Sequence, residues 1–582
     1  MVLSLKNFLK NNKKLIIIIA FNLIISGLFI AIFGLRYYMN DNKYFSLFIA
    51  EGYYTTAFSN SLLFAFCGLI QNIIYPINAF SCVSVILAIL SFISLHLVFS
   101  YRMNFKWSFI IISVVYAFFG VNHINTISFT LLPSLLATSG FLLIINYIHY
   151  TRKMSSVICG CLLVLFSSLY RFKIFLVCFA VIGALYLLLY FIDFKNQNDK
   201  VTEAIKKLFN KRFIIILLII LTTTFSFNFI SQKINVSTDE LSYYKEYNIL
   251  RSQLQDYSIP TYEEAKVEYN KIGISENDLN MLKNQYLDKN GAFSIENMKK
   301  MVQIQNKYNA SNGIVQTFVS MCKIVISDTF FSITEIGISM WAFVGLFLSC
   351  LIFLKKRYYI VPITTVVLFL VINTYLWRLG RTPYRAIYSV IFACVILLLY
   401  LFSSKSIKNK FKSLFNRKFV IIPIGIVSLL LLMFITPITY EKSSAVSNII
   451  NNVSGHDEIV DYIDKNSNKK FIVAHNVNAT NSYNLRKPWQ INAPELPDNA
   501  ITFYGTYYLT PCSNHKEKVF GTNNVYKYLI NNKNAYFIDT VEQNQSDMFC
   551  KYLNEHYSKG SKIEMKLYKS IGDYRIYSVI GK

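Results

Sequence analysis

The chain has 582 residues and carries 58 Lys and Arg against 32 Asp and Glu, a formal net charge of +26, yet 54% of its residues are hydrophobic. This apolar composition, with a mean hydropathy of +0.39, argues against a chain whose positive charge serves nucleic-acid binding. The basic residues fall mostly into alternate short gaps between long apolar runs. This pattern is typical of a polytopic membrane protein, because cytoplasmic loops retain Lys and Arg.

About eleven apolar runs are candidates for transmembrane helices, each of which needs about 20 apolar residues. They are residues 15–35, 77–99, 107–121, 129–147, 157–169, 174–192, 213–230, 336–354, 359–377, 386–402 and 419–436. With the N-terminus inside, the basic gaps between them are all cytoplasmic and the chain ends outside. We therefore expect a multi-pass plasma-membrane protein with an extracellular C-terminal domain.

Two further apolar stretches are not expected to cross the membrane. Residues 62–74 are too few to span it, and predict an interfacial or re-entrant helix. Residues 314–331 are interrupted by Lys323 and Asp328, and predict an amphipathic helix on the outer membrane surface.

The predicted organisation is a transmembrane domain at residues 1–439 followed by a small extracellular α/β domain at 440–582. Within the first, the outer loops of interest are residues 36–61 and 231–335, and Ser275 is a candidate helix N-cap in the second loop. In the C-terminal domain, helices are expected at 457–466, 524–531 and 546–557. Strands are expected at 471–475 and 535–539, with a closing hairpin of 563–569 and 575–580.

The cysteines and histidines indicate no metal centre. Most of the ten Cys lie in predicted spans, where they act as small apolar residues, and the seven His lack metal-ligand spacing. Cys512 and Cys550 both fall in the predicted outer domain and could pair. The sequence requires no cofactor.

Two carboxylates of the first outer loop are candidates for chemistry. Asp41 and Glu51 lie just outside the membrane, in a loop that leads at once into the short helix predicted at 62–74. Solvated loop charges are the simpler interpretation of such a pair. The position beside an interfacial helix favours a lined cleft at membrane depth, where ionisable groups are functional candidates.

Four arginines break the charge pattern, because they are predicted on the outer side. Arg171 lies in the turn between two spans, and Arg378, Arg381 and Arg385 fall within eight residues of each other. Arginine suits phosphate, since its planar guanidinium makes bidentate contacts and stays ionised. Snorkelling towards lipid headgroups is the alternative for any one of them; a phosphate ligand would explain the cluster.

Two loops carry a resemblance to a known superfamily. The first outer loop reads Asn40-Asp41-Asn42 and Ala50-Glu51-Gly52-Tyr53, and the second contains Tyr247-Asn248, Arg251-Ser252, Asp256-Tyr257 and residues 273–278. With the outer arginines and the terminal outer domain, these stretches resemble the GT-C superfamily of integral-membrane glycosyltransferases, in particular its uncharacterised Firmicute members. This chain departs from the paired-acid motif of that family, because the second of the two acidic positions is occupied by Asn42.

The resemblance implies an inverting transferase that moves a sugar from a polyprenyl-phosphate carrier to a cell-envelope glycan, teichoic acid, lipid or protein. It implies Asp41 as the base that deprotonates the acceptor, Glu51 as a residue that supports this base or orients the acceptor, and the four arginines as ligands of the lipid phosphate. A divalent cation stays open. A polysaccharide polymerase or ligase is a second interpretation, and a lipid-linked sugar transporter or flippase a third. The chain lacks the internal repeats that many transporters show.

Overall fold

The computed structural model describes residues 12–38, 42, 45–46, 48–49, 52–56, 58–195, 201–309, 314–324, 335–378, 384–402, 406–409, 411, 418–442, 455–474, 488–489, 497–502, 520–522, 524–541, 544–558, 560 and 562–581. Helices dominate these residues. Nine of the described helices are long and apolar enough to cross a membrane, in agreement with a helical polytopic membrane protein. The exact number of spans stays a prediction.

Among the described residues, the first part of the chain contains eight helices and two short paired strands. In chain order these are α1 (Lys13–Phe33), β1 (Arg36–Tyr37), α2 (Ser61–Ile74), α3 (Ala79–Arg102), α4 (Phe105–Gly120), β2 (Thr126–Ile127), α5 (Leu131–Asn146), α6 (Met154–Lys195), α7 (Val201–Leu208) and α8 (Lys211–Ile234). Strands β1 and β2 are parallel. A middle segment then contains α9 (Asp239–Asp256), α10 (Lys266–Lys271), α11 (Glu276–Lys283), α12 (Ile295–Asn309) and α13 (Ile314–Ile324). The bundle is completed by α14 (Glu335–Phe353), α15 (Ile360–Arg378), α16 (Tyr384–Leu401) and α17 (Lys418–Lys442).

Helix α6 contains two of the predicted spans, because the chain reverses at Arg171. The backbone there is extended (φ −157°, ψ 98°) within 42 residues that are otherwise helical. On α5, Gly140 meets the backbone of Gly160, while the adjacent Phe141 packs on Phe179 with ring centroids 5.5 Å apart. A straight helix would separate residues 160 and 179 by about 28 Å. The two halves of α6 therefore run antiparallel.

Several of the predicted basic gaps meet at one end of the bundle, which we call the basic end. Arg102, at the end of α3, donates hydrogen bonds to the Tyr150 hydroxyl (2.8 Å) and the Tyr400 carbonyl (3.1 Å). Nearby gaps are joined in the same way, since the Lys355 amide donates to the Ser406 carbonyl (2.9 Å). Basic gaps that alternate along the sequence therefore lie together at the basic end of the folded bundle.

Helix α2 does not cross the bundle. Just before it, the Asn60 amide donates to the Leu169 carbonyl beside the reversal of α6. Just after it, Asn78 lies within 3.4 Å of the Tyr37 hydroxyl, next to the end of α1 that is remote from the basic end. Both ends of α2 therefore lie at the end opposite the basic end. Its outward face is apolar and exposed, with Ile73 at 82%, as expected for a helix at the membrane interface.

The C-terminal residues form a five-stranded sheet with three helices. The elements are α18 (His456–Lys465), β3 (Lys470–Val473), β4 (Ala500–Thr502), α19 (Val525–Asn531), β5 (Ala535–Thr540), α20 (Ser546–Tyr557), β6 (Ile563–Ile571) and β7 (Tyr574–Gly581). The strand order is β4-β3-β5-β7-β6, with β3 parallel to β4 and β5, and β7 antiparallel to β5 and β6. The predicted helices and strands are confirmed. Only the three-residue β4, too short to show an alternating pattern, was not predicted.

The middle segment and the C-terminal sheet share one hydrophobic cluster. Buried polar contacts join them as well, since Asp288 accepts hydrogen bonds from the hydroxyls of Tyr552 (2.9 Å) and Tyr557. The predicted N-cap is confirmed, because Ser275 and Asp278 form a reciprocal capping box at the start of α11. The middle segment therefore connects the bundle to the sheet.

The contact between Gly140 and Gly160 gives a test of the α6 reversal. A Cβ atom at Gly140 would lie 2.7 Å from the Gly160 carbonyl oxygen, whereas one at Gly183 would meet nothing within 4 Å. We expect Gly140→Ala to destabilise the protein by about 1–3 kcal/mol, the usual cost of overpacking. Gly183→Ala, the same change further along α6, should leave it unchanged. Thermal unfolding of the detergent-solubilised variants measures both, and equal unfolding temperatures would contradict this packing.

Candidate functional site

The reversal of α6 is stabilised by the residues that precede α2. A break in a helix leaves backbone carbonyls without their usual amide partners. Here the Leu169 carbonyl accepts from the Asn60 amide, and the Tyr170 carbonyl accepts from the Ser59 hydroxyl, each at 2.9 Å. The sharp turn therefore needs neither Gly nor Pro, and it places Arg171 at the end of the bundle opposite the basic end.

Arg171 is oriented by the short connection between β2 and α5. Its guanidinium donates a hydrogen bond to the Thr130 hydroxyl (2.9 Å) and lies over the Phe129 ring, 4.8 Å from its centroid. The guanidinium of Arg385, at the start of α16, lies 5.8 Å from the same ring. Two arginines that are more than 200 positions apart in the sequence thus share one aromatic ring, with the favourable geometry of cation–π contacts.

The first outer loop contacts the same residue, Phe129, through Asn42 and Phe45. The Asn42 side chain is fully buried, and its carbonyl oxygen accepts a hydrogen bond from the Phe129 amide (2.7 Å). Phe45 adds a ring contact to Phe129 at 4.9 Å. The residue that departs from the paired-acid motif therefore anchors the loop beside Arg171.

A cavity of about 680 Å³ lies between this end of the bundle and the middle segment. This volume is typical of small-molecule sites. The bundle side includes the residues before α2, the reversal of α6, and the ends of α8 and α15. The middle segment contributes one face of α9 and the end of α12. The polar lining includes Ser59, Asn60, Arg171, Lys173, Asn235 and Arg378 from the bundle, and Asn248, Ser252, Gln253, Tyr257, Gln305 and Asn306 from the middle segment.

The charged residues among the described lining of this cavity are all cationic. Arg171, Lys173 and Arg378 line it, and none of the described residues around it is Asp or Glu. Within the described part of the chain, neither Lys173 nor Arg378 has a carboxylate within ion-pair distance. Cationic side chains in a cleft with low-dielectric walls attract anions. The arrangement is therefore suited to an anionic ligand.

Other polar residues around the cavity serve to hold its walls together. Asn60 donates to the Phe227 carbonyl of α8 (3.0 Å). Asn235, just after α8, donates to the Thr56 carbonyl (3.2 Å) and accepts from the Ser61 hydroxyl (2.9 Å). These bonds fix α8 against the residues before α2, so the bundle side of the cavity is preorganised.

The structure brings together only some of the predicted site residues. Arg171 and Arg378 line the same cavity, and Arg385 shares the Phe129 ring with Arg171. Asp41, Glu51 and Arg381 lie outside the described residues, as does Cys512, so their assigned roles stay predictions.

Sequence reasoning missed two parts of the site. Lys173 lies two residues after Arg171 in the same predicted outer turn. A lysine on the outer side breaks the charge pattern in the same way as Arg171 and could have indicated it as a site residue. Asn248, Ser252 and Tyr257 belong to the second-loop stretches that carry the resemblance, but no role was predicted for them. Gln253, Gln305 and Asn306 gave no signal, because amides on a helix face normally indicate a solvated surface.

A separate group of three residues could hold a metal ion. One ligand atom from each of Asp278, Glu555 and His556 lies within 4.8 Å of the others. His556 is 2.8 Å from the Asp278 carboxylate, so the pair already joins α11 of the middle segment to α20 of the sheet. Burial lowers the pKa of His556, but the hydrogen bond and charge of Asp278, with Glu555 and Asp288, raise it above its ordinary value overall.

No protein-family model matches the chain, and no curated protein is similar to it.

The raised pKa of His556 predicts a pH dependence of the contact between α11 and α20. A group whose pKa is raised on folding stabilises the folded state fully below its unfolded pKa, about 6.5 for His. That contribution is lost as the pH rises through the folded pKa. Hydrogen-exchange protection factors of α11 and α20 should therefore fall as the pH rises above about 6.5.

The matched control for this effect is His556→Gln, which keeps a polar side chain but cannot be charged. It should remove most of the pH dependence of these protection factors. An unchanged dependence in the variant would assign it to other groups.

Proposed function

We propose that the protein is an outward-facing membrane glycosyltransferase that moves a sugar from a polyprenyl-phosphate carrier to a cell-envelope acceptor. In this proposal the bundle has eleven spans, with α6 contributing two and the shorter α16 one. The basic end faces the cytoplasm, as the charge distribution requires. The cavity, the middle segment and the sheet then face outwards.

The observation that carries the proposal is the cationic cavity at the membrane edge. Arg171, Lys173 and Arg378 provide the charge that a lipid phosphate needs, and arginine adds paired donors. The end of α8 that borders the cavity also carries the exposed apolar side chains Phe225 and Phe229. A ligand with a phosphate in the cavity could therefore keep its hydrocarbon chain in the bilayer.

The position of the cavity favours an enzyme over a transporter. Transporter sites lie near the bilayer midplane, commonly at interrupted helices. Here Arg171 is at the reversal of α6 and Arg378 is the last residue of α15, so the cations are at the ends of their helices. A site at one end of the bundle, covered by the middle segment, suits a reaction at the membrane surface.

The proposed chemistry needs one base and a cationic leaving-group site. The acceptor hydroxyl oxygen bonds to the anomeric carbon while the bond from that carbon to the phosphate oxygen breaks. The electron pair leaves with the phosphate, which is acidic enough to depart without a proton and is stabilised by the arginines. Asp41 takes the acceptor proton; its neighbour Asn42 anchors this loop to Phe129, beside Arg171.

Arg378→Ala tests the phosphate site, because Arg378 is exposed and its side chain makes no hydrogen bond to any residue that the structure describes. Loss of a charge-assisted hydrogen bond costs about 1.5–3 kcal/mol, so polyprenyl phosphate should bind about 10- to 100-fold more weakly. Arg212→Ala is the control, an exposed arginine at the other end of α8, and should bind normally. Binding to protein in nanodiscs measures both. If Arg378→Ala and the parent bound polyprenyl phosphate equally well, Arg378 would not be a phosphate ligand and would only contact lipid headgroups.

Asp41→Asn tests the base, because it keeps the size of the side chain and removes its proton-accepting carboxylate. Sugar transfer in membranes that contain the variant should fall by about 100-fold or more, while binding of the donor is retained. Glu51→Gln should reduce transfer less if Glu51 only orients the acceptor. Full transfer by Asp41→Asn would exclude Asp41 as the base.

A further inference from the structure

The two sides of the cavity differ in charge. All three cations, Arg171, Lys173 and Arg378, are on the bundle side, and the middle-segment side is neutral. That neutral side, which we call the amide wall, consists of Asn248, Ser252, Gln253, Tyr257, Gln305 and Asn306. Amides and hydroxyls both donate and accept hydrogen bonds, which matches the hydroxyl groups of an uncharged sugar.

The amide wall exists because α9 has two faces. Thr238 caps its N-terminus through a hydrogen bond from the Leu241 amide. Tyr247, Leu250 and Leu254 are buried on one side. Ser252 and Gln253 lie on the other, towards the cavity. Packing of the first face therefore fixes the orientation of the second.

Gln305 of α12 provides an acceptor without a partner. Its amide nitrogen donates to the carbonyls of Gln253 and Ser258, each at 3.0 Å. The side chain is only 2% exposed, and its carbonyl oxygen makes no hydrogen bond with any described residue. A buried acceptor without a donor destabilises the folded protein. A hydroxyl group of a bound ligand would supply that donor.

We propose that the amide wall binds the sugar of the lipid-linked donor while the cations opposite bind its phosphate. This inference rests on the proposed function and assigns the two parts of the donor to the two sides of the cavity. Gln253, Gln305 and Asn306 bind sugar hydroxyls in this arrangement. The wall then distinguishes a loaded carrier from a spent one, because only the loaded carrier reaches both sides.

The test compares two ligands on one pair of variants. Gln253→Leu combined with Asn306→Leu removes two amides of the wall and leaves Gln305 and its structural bonds in place. Gln303→Leu, an exposed position of α12 that does not line the cavity, is the matched control. Affinities are measured in nanodiscs for polyprenyl phosphate and for the same carrier bearing glucose, mannose or N-acetylglucosamine.

The parent should bind at least one sugar-bearing carrier more tightly than the bare carrier. The double variant should weaken that binding about 5- to 150-fold, for two hydrogen bonds of about 0.5–1.5 kcal/mol each. It should leave affinity for bare polyprenyl phosphate unchanged, and the control should alter neither. Equal weakening of both ligands, or of neither, would overturn the assignment of the wall while the phosphate site stands. Failure of the parent to bind any of these carriers would overturn the proposed function itself.

Discussion

The reversal of the chain at Arg171 is the constraint on which the site depends. An extended residue between two helical halves leaves carbonyls that must find donors, and Ser59 and Asn60 supply them. The same residues start α2, which therefore lies along the bundle end. The reversal also directs Arg171 towards Phe129 and Thr130. One local break in helical geometry thus positions a helix, a loop and a cation together.

The Phe129 ring extends this constraint to distant parts of the sequence. Arg171, Arg385, Phe45 and, through the backbone, Asn42 all contact this one residue. A guanidinium over an aromatic face keeps its charge while losing part of its hydration. The ring therefore brings two cationic side chains together at the end of the bundle opposite the basic end. An anionic ligand is the natural complement of such an arrangement.

Much of the fold could be predicted from the sequence, because apolar length and alternation are local properties. The helices of the bundle and the closing hairpin of the sheet were visible in this way. The site could be predicted only in part. Arg171 could be predicted because it breaks the charge pattern. That it lines the same cavity as Arg378 depends on packing between helices that are remote in sequence. The sequence showed only that Asn42 replaces the second acid of the family motif. Its buried hydrogen bond to Phe129 could not be inferred from its neighbours in the sequence.

We propose that this cavity binds the phosphate of a lipid carrier between its cations. The decisive experiment is a cryo-electron microscopy structure of the protein in nanodiscs with a polyprenyl-phosphate sugar. Phosphate density is expected within hydrogen-bond distance of Arg171 and Arg378, with the hydrocarbon chain leaving towards the bilayer beside α8. Carrier density at any other place on the protein, with this cavity filled only by solvent, would exclude this binding mode.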